Sequence, residues 1–352
     1  SSGTLISMTD AGSSGEYLVD VTAGTLDDND IISDGTNTIT INAAGTDCSV
    51  TMECAQSTLL TDTVAVDGFT TDADNFVTLT TQTAYRHDGT SATGCGLTGT
   101  AFTIIGVHQD RNTVTEWLRC TANRNNNDGS SSGRCIASDD DFGEGAQIIR
   151  NNVIYDVLNA NACCGYDGIV LSTYQDASLP SYALNNIIID AESFGINVPV
   201  GINNMTAHVY NNSVWSSGTT GVNCASTTGT CTAQNNIALD NATDFSGNWD
   251  TFVTNASTDT TGDPVGLEGV VSSTEFTATA SDDLHLLSGA VCIDDGTDLG
   301  TTAGVQFDID NYDRDTAAVT WDCGADEFVA AAASATSGIS GMQFSGSTLS
   351  GI

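Results

Sequence analysis

The chain has 352 residues, 45 acidic and 7 basic, for a formal net charge of −38 at pH 7. Every basic residue is an arginine, so the clustered lysines and arginines that neutralise nucleic-acid phosphates or anionic bilayers are missing, and neither nucleic acid nor a membrane surface is an expected partner. No apolar run approaches the ~18 residues of a membrane span, so membrane insertion is not expected either.

Hydrophobic residues nevertheless make up 39% of the chain, many of them Val, Ile and Leu in short runs, enough for a large core in one all-β domain or two smaller ones. Residues 1–60 carry short strand-like runs, Glu16-Tyr-Leu-Val-Asp-Val and Thr38-Ile-Thr-Ile, and read as an N-terminal cap or flanking β region. Asp27, Asp28, Asn29, Asp30 and Asp34 crowd hard oxygen donors in this part and are one candidate calcium site. Strand signals continue through Val64-Ala-Val-Asp-Gly-Phe, Phe76-Val-Thr-Leu and Phe102-Thr-Ile-Ile-Gly-Val.

From residue 151 an Asn-Asn step before a short apolar run recurs: Asn151-Asn152-Val-Ile-Tyr, Asn185-Asn186-Ile-Ile-Ile, Asn211-Asn212-Ser-Val-Trp and Asn235-Asn236-Ile-Ala-Leu. A repeat of this length, with β-branched runs bounded by polar turns, predicts an all-β right-handed parallel β-helix, a solenoid whose coils stack about 4.8 Å apart. Asn152, Asn186, Asn212 and Asn236 then occupy one corner of successive coils, and their amides form a structural column by bonding to the coils above and below. The competing architecture is a β-sandwich with four ordinary Asn-rich turns. Residues 61–328 are assigned to the β-helix. Residues 329–352, rich in Ala, Ser and Gly and uncharged, form a tail that either supplies a strand to a neighbouring subunit or stays disordered.

The eleven cysteines include no C-x-x-C pair. The expected disulfides are Cys48–Cys54, Cys120–Cys135, Cys224–Cys231 and Cys292–Cys323, with buried free thiols as the alternative; disulfides imply an oxidising, extracellular setting.

Two segments bring in a family resemblance. Val64-Ala-Val-Asp-Gly-Phe-Thr-Thr-Asp-Ala-Asp-Asn-Phe-Val-Thr-Leu with Tyr85-Arg-His-Asp-Gly resembles an N-terminal pattern of pectate-lyase-like right-handed β-helix proteins of bacteriophages and environmental bacteria. Leu284-His-Leu-Leu-Ser-Gly-Ala-Val-Cys-Ile-Asp-Asp-Gly, Phe307-Asp-Ile-Asp and Cys323-Gly-Ala-Asp-Glu-Phe are similar to the closing segment of such proteins. The resemblance covers roughly residues 60–328 and implies fold rather than activity, because this scaffold carries lyases, hydrolases, tailspikes, adhesins and inert surface proteins. Cys292 and Cys323 stand where that pattern usually has apolar residues; paired, they would lock the C-terminal cap.

Catalytic candidates are few. Asp139, Asp140, Asp141 and Glu144 resemble the paired-Asp step of polygalacturonase-like hydrolases, but the Gly-His-Gly step that should follow is absent, and a solvated acidic turn is the favoured reading. A lyase would need a basic residue, for which only arginines such as Arg124, Arg134 and Arg150 are present. Asp308, Asp310, Asp313 and Asp315 form the second candidate site for structural Ca²⁺, the one cofactor considered. His87, His108, His208 and His285 form no recognisable triad or metal pair and read as packing or turn residues. These features point to a non-catalytic structural protein of a virion or cell surface, a decoration, fibre or filament subunit, with copies of itself and other surface proteins as partners. The alternative is a secreted polysaccharide-active enzyme or glycan-binding adhesin, with a glycan as ligand.

Overall fold

The computed structural model describes residues 50–330 apart from 62, 67–75, 101–102, 108–111, 125–132, 139–145, 160–164, 173–179, 200–205, 226–228, 264–266 and 317–319. Before Val50 it describes two antiparallel strand pairs, Thr4–Thr9 with Glu16–Asp20 and Ile31–Ser33 with Thr38–Thr40.

The chain is a right-handed parallel β-helix. Its strands form three parallel sheets of eight, eight and seven strands, each strand bonded to its equivalent one coil away. One coil illustrates the plan: Gln147–Arg150 lies in sheet 1, Val153–Asn159 in sheet 2 and Asp167–Leu171 in sheet 3. The stacked coils run from Val50–Cys54 to Ala256–Ser257, so they begin inside the stretch read as a cap and end well before residue 328. Stacking puts like residues on like residues. In sheet 3, Ile105, Ile136, Ile169, Ile196, Val222 and Phe245 are in register and line the interior. Each such side chain withdrawn from water contributes about 1.5–3 kcal/mol.

The corner between sheets 1 and 2 is built by the Asn-Asn step, and its two asparagines do different work. The first takes a left-handed backbone, with φ of 53° at Asn151, 52° at Asn185, 53° at Asn211 and 57° at Asn235. Asparagine tolerates that conformation better than other side chains except glycine. The second is fully buried and forms a ladder. Asn152 Nδ2 donates to Asn186 Oδ1 at 3.0 Å, Asn186 Nδ2 to Asn212 Oδ1 at 3.0 Å, and Asn212 Nδ2 to Asn236 Oδ1 at 2.9 Å. The backbone N–H of each donates to the same oxygen. The column therefore exists as expected, and it is longer: Asn236 donates to Asn255 Oδ1 at 2.9 Å, and Leu118 N caps the other end by donating to Asn152 Oδ1 at 3.1 Å.

Beyond Ser257 the chain leaves the solenoid and folds back along its outside. This arm, residues 267–328, contains an antiparallel pair, Phe276–Ala278 with Asp283–Leu286, and a series of turns. Leu267, Phe276, Leu284, Leu286 and Ile309 pack on Val153, Ile187, Ile189, Ile237 and Leu239. That explains why three consecutive isoleucines are all buried: Ile188 faces the interior, while Ile187 and Ile189 face the arm. The outward first asparagines pin the arm. Asn151 and Asn185 donate to Phe307 O at 3.1 and 2.7 Å, and Asn235 exchanges two bonds with Thr297.

At the carboxyl end, Phe245–Gly247 and Thr251–Val253 are the last strands of sheets 3 and 1, and among the described residues no further strand pairs with them, although Phe245 N donates to Thr261 Oγ1 at 2.9 Å. Sheet 2 differs, since Ser257 bridges to Glu268. Trp249 and Phe252, both partly exposed, lie beside these edges with ring centroids 5.8 Å apart.

Among the described residues, three disulfides staple the coils. Cys120–Cys135 and Cys224–Cys231 form as expected, with Cα separations of 6.0 and 6.6 Å. The expected Cys48–Cys54 bond is replaced by Cys54–Cys95, at 6.2 Å. Extended backbone over Val50–Cys54 places Cys54 in sheet 1, where stacking brings Cys95 beside it at a separation a disulfide spans. Cys48 itself lies outside the described residues. The expected Cys292–Cys323 bond is likewise corrected: both are buried free thiols, with Cys323 N donating to Cys292 O at 3.0 Å. Burial pushes the Cys292 thiol well above its ordinary value, with Cys323 adding to the shift. The three bonds fit an oxidising, extracellular setting. No helix among the described residues is long and apolar enough to cross a membrane.

Candidate functional site

The richest polar chemistry lies in the arm. The strand Asp283–Leu286 carries Asp283 and His285 two residues apart, so both side chains fall on one face. The turn at 308–313 brings Asp310, and the closing Gly324-Ala-Asp-Glu-Phe brings Asp326. Asp283 Oδ1 bonds His285 Nδ1 at 2.6 Å, and His285 Nε2 stands 3.4 Å from Asp310 Oδ2. One ligand atom from each of His285, Asp310 and Asp326 lies within 4.8 Å of the others. A cavity of about 500 Å³ opens beside them, with Tyr312, Phe328 and Val329 in its wall. Burial opposes charge on His285, yet the carboxylates of Asp310, Asp326 and Asp283 outweigh it and hold the imidazole up to about 10.

Under this cluster the arm buries a network of charge. Arg314 is fully buried; it donates to Glu327 Oε2 at 2.7 Å and to the carbonyls of Asp322 and Gly324 at 3.2 and 2.9 Å. The neighbouring acids collect backbone N–H groups. Asp308 accepts from Asp310, Tyr312 and Glu327, Asp322 from Asp294 and Phe328, and Glu275 from Val291 and Cys292. Burial pushes Asp308 and Asp322 each up to about 7, against the pull of those amides and of Arg314.

The four aspartates expected to hold calcium, Asp308, Asp310, Asp313 and Asp315, are placed differently from one another. Asp308 turns inward to its own loop, and Asp313 accepts from the Asp315 N–H at 3.1 Å, so the four aspartates do not converge. Asp310 alone joins a ligand-like group, and its companions His285 and Asp326 come from other turns of the arm. The Asp283-x-His285 alternation on a strand was the available signal, and reading the histidines singly missed it. Asp139, Asp140, Asp141 and Glu144 lie outside the described residues, as do Asp27, Asp28, Asn29, Asp30 and Asp34.

His87 behaves oppositely to His285. Gly89 N donates to its Nδ1 at 3.3 Å, so Nε2 carries the proton and donates to Asn151 O at 2.9 Å. Burial lowers its pKa to about 4, against the pull of the Asn151 carbonyl. The neutral form is the folded form, so its contribution is complete above the ordinary value near 6.5 and is lost as pH falls toward 4, about 3 kcal/mol in all. Asp322 has the opposite sign: its raised value favours the fold as pH falls from 7 toward 3.8. An NMR titration separates the two, and we predict a His87 midpoint near 4; a midpoint between 6 and 7 refutes the assignment.

Compared with known proteins, the chain matches no family model and no curated sequence.

Proposed function

We propose that the protein is a non-catalytic structural subunit of the pectate-lyase-like β-helix type, displayed in many copies outside the cell as a filament, fibre or virion decoration. The observation that carries this reading is that, among the described residues, no further strand pairs with the terminal strands Phe245–Gly247 and Thr251–Val253. An open parallel edge with partly exposed aromatics beside it is a template for another chain. The inward-turned carboxylates of the arm add support, since they are committed to backbone amides.

The uncharged tail suits the joining role. Phe328 still packs in the arm, so a chain ending there keeps its fold. Deleting residues 329–352 is expected to abolish assembly, seen by electron microscopy, and to leave the β-sheet circular dichroism unchanged. A truncated chain that polymerises like the full one removes the tail from the mechanism. Because the net charge of −38 repels like copies, assembly is expected to strengthen with salt.

A second reading, glycan contact or turnover, has one observation behind it. Tyr182 and His208 stack at 4.9 Å on the outer face of sheet 1, with Tyr210 beside them at 5.2 Å from His208. Incubation with acidic and neutral polysaccharides, followed by reducing-end and unsaturated-product assays, tests it; product formation would replace the structural reading by an enzymatic one.

A further inference from the structure

We infer that His285, Asp310 and Asp326 bind one divalent transition-metal ion, of the Zn²⁺ class, that ties three turns of the arm together. Four observations converge on it. The separation of His285 Nε2 and Asp310 Oδ2, 3.4 Å, matches the edge of a tetrahedron around an ion with ligands at about 2.1 Å. Asp283 holds Nδ1 at 2.6 Å and so aims Nε2 at the two carboxylates, the outer partner that metal-binding histidines usually have.

Asp326 supplies the independent observation. Its side chain belongs to a residue only 6% exposed, and Leu286 N anchors Oδ2 at 2.7 Å. Its second oxygen has no hydrogen-bond donor among the described residues, and the carboxylate borders the cavity beside His285 and Asp310. That oxygen is not sealed from the cavity, so an entering ion can reach it. Finally, the cavity leaves room for an ion to enter and retain water.

The ligand chemistry selects the ion. An imidazole nitrogen with two carboxylates suits Zn²⁺ and similar ions, whereas Ca²⁺ wants six or more oxygens. Binding replaces the proton on Nε2: the ion takes the nitrogen lone pair and one proton leaves to solvent. The bound ion then joins the strand Asp283–Leu286, the turn at 308–313 and the closing segment at 324–328.

The test uses the full chain with ZnCl₂ or CaCl₂ as probe, at an ionic strength that screens diffuse binding to the acidic surface. Calorimetry is expected to give one Zn²⁺ per chain, with Ca²⁺ bound at least tenfold more weakly, and a ¹⁵N shift on His285 Nε2 is expected on Zn²⁺ addition. Asp310→Asn, at a half-exposed side chain whose loss leaves the fold in place, should weaken Zn²⁺ at least tenfold. Asp283→Ala should weaken it by about tenfold to a hundredfold through loss of positioning. Zero or many ions per chain, an unmoved Nε2 signal, or Asp310→Asn binding like the wild type would each overturn the site.

Discussion

Asn212→Ala is expected to destabilise the protein by about 3–6 kcal/mol, the largest effect of any single corner residue. The side chain stands in the middle of the ladder and is fully buried. Its Oδ1 accepts from both the backbone and the side chain of Asn186, each at 3.0 Å. Its Nδ2 donates to Asn236 Oδ1, Ala183 O and Tyr210 O at 2.9–3.0 Å. Alanine orphans the Asn186 N–H outright and thins the bonding of the others; each buried group left unsatisfied costs about 1–3 kcal/mol. Because a solenoid is held by neighbour contacts, the break also weakens coupling between coils on either side, so the denaturant transition should broaden. Asn255→Ala, at the end of the column, should cost less: it also orphans the Asn236 N–H, but its own amide donates to no further rung. Equal losses at both positions, or a loss under about 1 kcal/mol at Asn212, would show that the rungs act singly.

The second large effect is expected at Arg314. Replacing it with methionine keeps much of the volume but strands Glu327 and leaves the carbonyls of Asp322 and Gly324 without their donor. Removing one partner of a buried ion pair costs about 3–5 kcal/mol, mostly the penalty of the uncompensated charge. The loss should be confined to the arm. Hydrogen exchange is expected to rise across Asp283–Leu286 while the N–H groups of Asn186 and Asn212 stay protected. The double variant Arg314→Met, Glu327→Gln should recover part of the loss, because the stranded charge is then gone. A double variant no more stable than the single one would place the cost in packing.

The legible part of this fold was the part built from local repetition. The Asn-Asn steps announced the corner because one residue there must accept a left-handed backbone and the next must bond along the stack. The reading stopped short where the pattern changed letters. At one end the same corner is Trp117-Leu118, with φ of 60° at Trp117, and at the other it is Thr254-Asn255, with 53° at Thr254. Neither carries the paired asparagines, yet both occupy the equivalent rung because the coils above and below impose it.

The sequence by itself determined the coil: short β-branched runs, polar corners, an amide column and two of the three disulfides, all set by residues near one another or repeating at the coil length. Tertiary structure alone decided the rest. Cys54 chose Cys95 because stacking, not chain proximity, sets which thiols meet. The arm settled on sheet 2 because outward-facing Ile187, Ile189, Ile237 and Leu239 needed an apolar cover. That docking gathered His285, Asp310 and Asp326 from separate turns, a meeting no spacing along the chain encodes, since it follows from where the folded-back segment comes to rest.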